Sequence, residues 1–202
     1  MLVVGLLILS YLCGSIPMAY LVARGLKGVD IRSVGSGNIG ATNAARVVGM
    51  PLAGVILLLD AAKGALPVIL CRTLVTAPDW GLSPELAALL VGIAAVLGHI
   101  FTCFLNFKGG KGVSTSLGVF SALAPVALLS ALAVGIVVIA ITRFVSLASV
   151  LGAVAFPLLI LYFQPGNPAL FWVSALIGAL IIFRHRSNIR RIIRGEEDKF
   201  WG

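Results

Sequence analysis

The sequence predicts an all-α polytopic membrane protein with seven transmembrane helices, of which the fourth and fifth form a short hairpin broken at a proline. Hydrophobic residues make up 60% of the 202 residues and charged residues only 11%, and the mean hydropathy is +1.12. Soluble domains contain about 45–50% apolar residues, because they have only one small core to fill. The basic residues lie in short clusters beside the apolar runs, which is typical of chains that positive charge orients in a bilayer.

The first three spans are predicted from apolar runs that end at polar loops. Span one covers residues 2–23, and because no basic stretch precedes it, we expect a retained helix rather than a signal peptide. The glycine-rich loop that follows contains several basic residues, which place it in the cytoplasm. Span two, residues 51–71, leads to an outer loop whose one basic residue is Arg72. Span three, residues 86–105, returns to the cytoplasmic face.

The apolar run from Val113 to Thr142 is too long for one straight helix across the hydrocarbon core, at about 1.5 Å per residue against about 30 Å. A single crossing would also leave the arginine-rich end of the chain outside, against the charge rule. We therefore predict a short helix over residues 113–124 and a second over 125–142, which meet at Pro125 and return to the cytoplasm. Spans six and seven follow at residues 146–163 and 169–183.

The whole chain, residues 1–202, is predicted to form a single integral-membrane domain in the lipid bilayer. Its net charge of +8 does not indicate nucleic acid as a partner, because the basic residues flank apolar spans. The cysteines at 13, 71 and 103 lie in or beside apolar segments and lack metal-ligand spacing, so no metal is predicted. The sequence indicates no cofactor and no obligate protein partner.

The segment FKGGKGVSTS, residues 107–116, has the composition of a phosphate-binding turn. Glycines lack a Cβ, so the backbone can turn sharply and direct successive N–H groups at one anion, while lysines add positive charge. The helical pattern that resumes at Ser114 would direct a helix N-terminus at the same place. For this segment alone, a basic and flexible turn is an equal alternative. The candidate residues are Lys108, Gly109, Gly110, Lys111 and Gly112.

Two further polar segments, residues 35–46 and 184–197, are predicted to lie at the same cytoplasmic face. In the first, Arg46 can bind a phosphate through two hydrogen bonds, although the segment taken alone favours a helix cap with turn residues. In the second, His185 and Asn188 fall on one helix face, although a lone histidine at a membrane surface is more often structural. The other polar candidates of the first segment are Ser36, Asn38, Thr42 and Asn43.

Asp60 and Lys63 lie within span two, three residues apart. An ion pair on one helix face is the least unfavourable way to hold either charge at this depth. We therefore interpret this pair as structural.

Four stretches of the chain occur together in an order that chance does not explain: VGSGNIGATNAAR, GHIFTCFLNFKGGKGVSTSLG, RFVSLAS and FRHRSNIRRIIRGEE. They resemble the PlsY family, the bacterial acyl-phosphate-dependent glycerol-3-phosphate acyltransferases, over nearly the whole chain. The resemblance implies transfer of a fatty acyl group from acyl phosphate to the 1-hydroxyl of sn-glycerol 3-phosphate. The product would be lysophosphatidic acid, made in the first acylation of phospholipid biosynthesis at the bacterial inner membrane.

The resemblance also assigns functions to individual residues. It implies that Ser36 and Arg46 are essential, and that Lys111 and the glycines around it bind glycerol 3-phosphate. It implies that His185 and Asn188 position substrate, and it places Ser146 near the site. The family's seven spans, with the N-terminus outside, agree with the topology inferred here from charge.

The chemistry of these residues favours direct acyl transfer without an acyl-enzyme. A covalent route needs a nucleophile with an activating base and a third orienting group, and Ser36 has no obvious partner of this kind. Acyl phosphate is already activated, so positioning and charge stabilisation by cations can supply much of the rate. We expect a substrate phosphate, with a second pKa of about 6, to accept the hydroxyl proton, with His185 as the competing candidate.

Two other functions fit parts of the pattern. A transporter of anions or organophosphates also combines a broken helix with a basic glycine loop, but few polar residues here would continue a path outward. A metal-dependent phosphatidyl transferase needs several carboxylates spaced on helices, and the chain lacks that set. An HxxxxD acyltransferase signature is absent as well.

The topology gives a first prediction, in which the N-terminus is outside and the C-terminus is inside. A cysteine placed at Ser187 should react with a membrane-impermeant thiol reagent only after the membrane is opened, because the arginines around it hold that segment in the cytoplasm. Reaction in intact cells would refute the proposed orientation.

Overall fold

The computed structural model describes residues 1–200, which form helices and connecting loops without a β-strand. The chain divides into two compact units, Met1–Leu123 and the part from Ala124 onward. The first unit contains α1 Leu2–Ser15, α2 Met18–Lys27, α3 Ala41–Val48, α4 Met50–Leu74, α5 Pro84–Ile100 and α6 Val113–Leu123. The second unit contains α7 Pro125–Thr142, α8 Val145–Phe163, α9 Pro168–Arg184 and α10 Arg186–Ile193.

Five helices are long and apolar enough to cross a membrane when α1 and α2 are taken as one span, and a sixth is added if α9 and α10 form one bent span. Helix α6 has 11 residues, which at about 1.5 Å per residue does not cross a core of about 30 Å. The all-helical membrane fold agrees with the prediction, whereas the count of seven spans stays a prediction. Many large apolar side chains are exposed on these helices, among them Leu58, Leu129, Ile136, Leu158 and Trp172.

The first span differs from the single helix predicted over residues 2–23, because α1 ends at Ser15 and α2 begins at Met18. Pro17 cannot donate a backbone hydrogen bond and disfavours helical geometry in the residue before it. Ile16 accordingly has an extended conformation, with φ −60° and ψ 115°. The carbonyls at the break receive side-chain donors, since Thr102 Oγ1 donates to Ser15 O at 2.5 Å and Lys63 Nζ to Ile16 O at 2.7 Å.

The predicted break in the long apolar run lies where the sequence placed it. Helix α6 ends at Leu123 and α7 begins at Pro125, with Ala124 between them at φ −149° and ψ 63°. The proline explains this position, because it supplies no N–H and excludes helical geometry from Ala124. The hairpin arrangement of these two helices stays a prediction.

Glycines let the helices of the first unit pack backbone against backbone. Gly14 of α1 lies against the carbonyl of Ala95 in α5, and Gly64 of α4 lies against the carbonyl of Thr115 in α6. Small residues at such contacts are typical of helices that associate in lipid, where van der Waals packing replaces the hydrophobic effect. Gly118 of α6 makes the corresponding contact with Ala61 of α4.

The second unit packs α8 against both of its neighbours, with Phe156 and Ile160 of α8 and Ile177 of α9 buried. Gly178 allows close approach to the backbone of α8, because a Cβ there would come within 2.7 Å of the carbonyl oxygen of Ala153. Beyond α10 the chain turns back, and the N–H of Phe200 donates to the carbonyl of Arg143 at 2.9 Å.

The glycine contacts predict opposite effects for two helical glycine-to-alanine changes. Gly118→Ala adds a methyl group that overlaps the carbonyl of Ala61, and we expect a loss of about 1–3 kcal/mol in unfolding free energy. Gly135→Ala is the control, because nothing lies within 4 Å of a Cβ at that position and alanine favours the helix by up to about 1 kcal/mol. Thermal unfolding in detergent measures both, and equal melting temperatures for the two variants would contradict this account of α4–α6 packing.

Candidate active site

The loop before α3 is built around the side chain of Asn43, which is only 2% exposed. Its Nδ2 donates to the carbonyls of Ile31, Val34 and Asn38 at 3.0 to 3.1 Å. Its Oδ1 accepts the N–H of Ser36 at 3.1 Å. These hydrogen bonds hold the loop in shape, and a substrate contact of Asn43 stays a prediction.

Three other candidates of this loop, Ser36, Thr42 and Arg46, have exposed positions. Gly35 has φ +57°, and a Cβ there would lie 2.5 Å from Asn43 Oδ1 and 3.2 Å from Arg46 Cδ. The glycine therefore allows the loop to close over Asn43 and beside the Arg46 side chain. Asn38 is half-buried and belongs to the same loop.

In the glycine-lysine turn, two backbone N–H groups of the predicted phosphate cradle are hydrogen-bonded within the protein. The N–H of Gly109 donates to the carbonyl of Ile100 at 3.0 Å, and the N–H of Gly110 donates to the carbonyl of His99 at 3.0 Å. Neither group is directed at an anion, because the carbonyls at the end of α5 need these donors. Of the three glycines only Gly112 has a positive φ, +88°. Lys108 is exposed and Lys111 half-buried, so positive side chains remain the means by which this turn can bind phosphate.

A shared apolar core joins the loop and the turn within the first unit. Leu105, just before the turn, packs into a cluster with Ile31, Ile39 and Ala44 beneath the loop. The structure thus brings together the first two polar segments that the sequence singled out. Arg46 follows Ala44 of this cluster by two residues, and Lys111 follows Leu105 by six.

In the second unit, His185 lies at the bend between α9 and α10, whose axes differ by 56°. Its Nδ1 is 2.8 Å from the carbonyl oxygen of Ile181. A carbonyl only accepts, so Nδ1 donates its proton in this contact. Asn188 is buried one turn further along α10. The interpretation of His185 and Asn188 as residues of one helix face depended on a helix that continues past Phe183; α9 continues to Arg184, and the bend at His185 follows.

Glu197 joins two of the predicted residues and was not itself predicted. Its carboxylate accepts hydrogen bonds from Ser146 Oγ at 2.6 Å, Asn188 Nδ2 at 2.7 Å and Arg191 Nε at 2.7 Å. Burial alone would raise the pKa of Glu197, but these three hydrogen bonds and the Arg191 charge outweigh it and hold the pKa below its usual range. A glutamate in an arginine-rich segment was the available signal. Its partner Ser146 lies too far along the chain for a local pattern to reveal the pairing.

No group of three or more histidine, cysteine, aspartate or glutamate side chains within residues 1–200 is arranged to hold a metal ion. The candidate site consists instead of basic side chains, amides and hydroxyls on a fixed backbone. Such groups bind phosphorylated ligands through charge-assisted hydrogen bonds.

Comparison with known proteins decides the family. The sequence model of the family described as glycerol-3-phosphate acyltransferase matches residues 4–195. The chain belongs to this family. It is 49% identical over 192 residues to the glycerol-3-phosphate acyltransferase of Trichlorobacter lovleyi, which covers 95% of this chain and 94% of that one. It is 46% identical over 191 residues to the glycerol-3-phosphate acyltransferase of Geobacter sulfurreducens, with coverage of 95% and 94%.

Solved structures support the same assignment. The crystal structure of the integral membrane glycerol 3-phosphate acyltransferase PlsY in its glycerol 3-phosphate form has a TM-score of 0.88 and 38% identity, covering 98% of this chain and 96% of that one. The lysophosphatidic acid form of PlsY has a TM-score of 0.85 at 38% identity, with coverage of 98% and 95%. The protein is therefore an integral membrane glycerol-3-phosphate acyltransferase of the PlsY family. The transporter alternative is set aside, because the family is one of enzymes.

The Glu197 contacts give a prediction about pH. The pKa of Glu197 is lower in the folded protein than in the unfolded one, so its contribution to stability is present at neutral pH and lost as the pH falls through the folded-state pKa. As the pH falls below the usual glutamate pKa and through the lowered folded-state pKa, the protection of the Phe200 amide against hydrogen exchange, relative to the intrinsic exchange rate at each pH, should decrease because the segment after α10 is released. Glu197→Gln should show low protection at every pH and lose about 1–3 kcal/mol of stability, since charged hydrogen bonds are removed.

Glu196→Gln is the matched control for this measurement, because Glu196 is exposed beside it. If the Phe200 amide is protected equally in Glu197→Gln and in the unmodified protein at the same pH, the Glu197 carboxylate does not hold the segment after α10 in place.

Proposed function

We propose that this acyltransferase uses acyl phosphate as donor and transfers its fatty acyl group to the 1-hydroxyl of sn-glycerol 3-phosphate, releasing inorganic phosphate and lysophosphatidic acid. The observation that carries the proposal is the packing of Leu105, just before the Lys111 turn, into the apolar cluster beneath the Arg46 loop. Both substrates are phosphorylated, and two cations on a shared support match that requirement. The glycerol 3-phosphate and lysophosphatidic acid forms of PlsY have the acceptor and product named here.

The first unit is proposed to bind phosphate. Arg46 makes two parallel hydrogen bonds to one phosphate, because a guanidinium matches oxyanion geometry. Lys111 contributes a point charge from the glycine turn, and Lys108 adds a more exposed one. Ser36, Asn38 and Thr42 offer hydroxyl and amide donors on the same loop, and Asn43 keeps that loop in shape.

Side chains of the second unit are proposed to position the substrate. The neutral His185 offers an Nε2 acceptor, and Asn188 offers its amide. Glu197 holds Asn188 and Ser146 through short hydrogen bonds, so these two side chains start the reaction in fixed orientations. Fixed orientation lowers the entropic part of the barrier.

The acyl transfer is proposed to be direct. The 1-hydroxyl oxygen attacks the acyl carbon, the bond from that carbon to the phosphate oxygen breaks, and a substrate phosphate takes the hydroxyl proton. Arg46 and Lys111 stabilise the negative charge that develops on the carbonyl oxygen and the leaving phosphate. A substrate phosphate has a second pKa of about 6, near the working pH, which suits a general base. The competing base is His185, whose Nε2 lone pair is the relevant group.

The reaction is proposed to occur at the cytoplasmic face of the bacterial inner membrane. The basic residues concentrate in the segments that carry the candidate site, and such concentration is typical of cytoplasmic loops. The acyl donor would reach this face from within the bilayer. No cofactor, metal or obligate protein partner is part of the proposal.

One product assay tests the proposal. The purified chain in detergent, given acyl phosphate and radiolabelled glycerol 3-phosphate, should form lysophosphatidic acid at an undiminished rate in excess chelator. Acyl-CoA should be a poor donor. Arg46→Lys keeps the charge but loses the paired hydrogen bonds, so kcat/KM should fall about tenfold or more.

Two results would refute the mechanism. Efficient use of acyl-CoA would remove acyl phosphate as the specific donor. A radiolabelled acyl group that stays on Ser36 after denaturation, and is absent from Ser36→Ala, would demonstrate an acyl-enzyme.

A further inference from the structure

The three glycines of the turn are required for three different reasons. Gly112 has φ +88°, a conformation that side chains with a Cβ disfavour. A Cβ on Gly109 would collide with backbone, namely the carbonyls of His99 and Ile100. A Cβ on Gly110 would collide with one side chain, because its three nearest heavy atoms are Nε2, Cε1 and Cδ2 of the His99 imidazole, the latter two at 2.9 and 3.0 Å. The ring of His99 therefore limits which side chains fit at position 110.

His99 holds Gly110 from two directions. The residue lies in the last turn of α5 and is 5% exposed. Its carbonyl accepts the N–H of Gly110 at 3.0 Å, and its imidazole lies against the Cα of the same glycine. A rigid ring on one side and a backbone hydrogen bond on the other leave little freedom for the residue that precedes Lys111.

A charged pair from α4 lies on the far side of the imidazole. Asp60 Oδ1 is 3.8 Å from His99 Nδ1, and Lys63 Nζ is 2.7 Å from the same carboxylate oxygen. Lys63 also donates to the carbonyl of Ile16, so the pair is anchored to the break in the first span. At 3.8 Å the contact is longer than a hydrogen bond, but in this buried position the carboxylate acts electrostatically on the Nδ1 side of the ring and favours one ring orientation.

We propose that His99, oriented by Asp60, is a positioning residue for glycerol 3-phosphate. Its imidazole supports Gly110 and thereby sets where the ammonium of Lys111 meets the substrate phosphate. This inference rests on the proposed function, which assigns the Lys111 turn to substrate phosphate. His99 itself touches no reacting atom, so its effect should fall on the KM for glycerol 3-phosphate rather than on kcat or on the KM for acyl phosphate.

A double-mutant cycle between positions 99 and 110 tests the proposal. His99→Ala and Gly110→Ala should each raise the KM for glycerol 3-phosphate about tenfold or more, because either change moves the turn. In the double variant the alanine methyl group at 110 occupies space that the ring has vacated. Its KM should therefore match that of His99→Ala within about twofold, instead of the product of the two effects. A KM equal to that product would overturn the proposal.

Gly109→Ala provides the matched control, because its methyl group collides with backbone that no side-chain change removes. The impairment caused by Gly109→Ala should be the same with histidine or with alanine at position 99. Relief of Gly109→Ala by His99→Ala would show general loosening of the turn, and would overturn the specific contact at Gly110.

Two conservative variants separate positioning from folding. His99→Gln places an amide group near the position of Nε2 and should restore most of the KM, whereas His99→Asn reproduces Nδ1 and should not. Ser10→Ala removes a buried hydrogen bond to Val91 O between α1 and α5, so it should lower the melting temperature with an unchanged KM. If His99→Ala does not yield folded protein, the cycle is run with His99→Asn, whose shorter side chain also leaves the space beside Gly110 empty. Equal KM values for His99→Gln, His99→Asn and the unmodified protein would overturn the proposal.

Asp60 is tested together with Lys63, because removal of one partner would leave a buried ion alone. The double change Asp60→Asn and Lys63→Met should raise the KM for glycerol 3-phosphate in the same direction as His99→Ala. An unchanged KM would remove Asp60 from the proposal.

Lys111→Ala distinguishes failure of this inference from failure of the proposed function. An unchanged KM in Lys111→Ala would refute the assignment of the turn to substrate phosphate. A raised KM in Lys111→Ala together with an unchanged KM in His99→Ala would leave the proposed function intact and refute the positioning by His99.

Discussion

The structure depends on one constraint, which is that hydrocarbon offers no hydrogen-bond partner to a polar group. Proline at position 17 interrupts the first span and leaves carbonyls at the break. Thr102, just after α5, and Lys63, in the middle of α4, donate to those carbonyls. The end of α1 is thereby fixed to the middle of α4 and to the segment that follows α5. The buried lysine is structural in this respect, as the sequence indicated for its pair with Asp60.

The same constraint explains why the two phosphate-binding candidates of the first unit are preorganised. Asn43 satisfies the backbone of the Arg46 loop, and the last carbonyls of α5 receive the N–H groups of the glycine turn. Each backbone is therefore fixed by internal hydrogen bonds before any substrate arrives. Arg46 and Lys111 supply the positive charge of these two segments, which agrees with the proposed catalysis by positioning and electrostatics.

Sequence reasoning succeeded where the determinant is local. The break at Pro125 follows from one residue type, and the polar segments stand out against an apolar background. It failed where the determinant lies far along the chain or in three dimensions. Glu197 accepts a hydrogen bond from Ser146, which lies 51 positions earlier in the chain. The need for glycine at position 110 comes from the imidazole of His99 in α5. The proline at 17 was a local signal, but the apolar run around it suggested an uninterrupted span.

The glycines also differ in how their positions can change over evolutionary time. Gly64 and Gly118 face the backbone carbonyls of Thr115 and Ala61, and every residue type has such a carbonyl, so no second substitution can compensate for a larger side chain. Gly110 faces an imidazole, which a substitution can remove. Either single change is expected to impair the turn, but a lineage that has lost the histidine at 99 could accept a larger residue at 110 at little further cost. On the proposed account, the two positions therefore form an epistatic pair, because the effect of a substitution at 110 depends on the residue at 99.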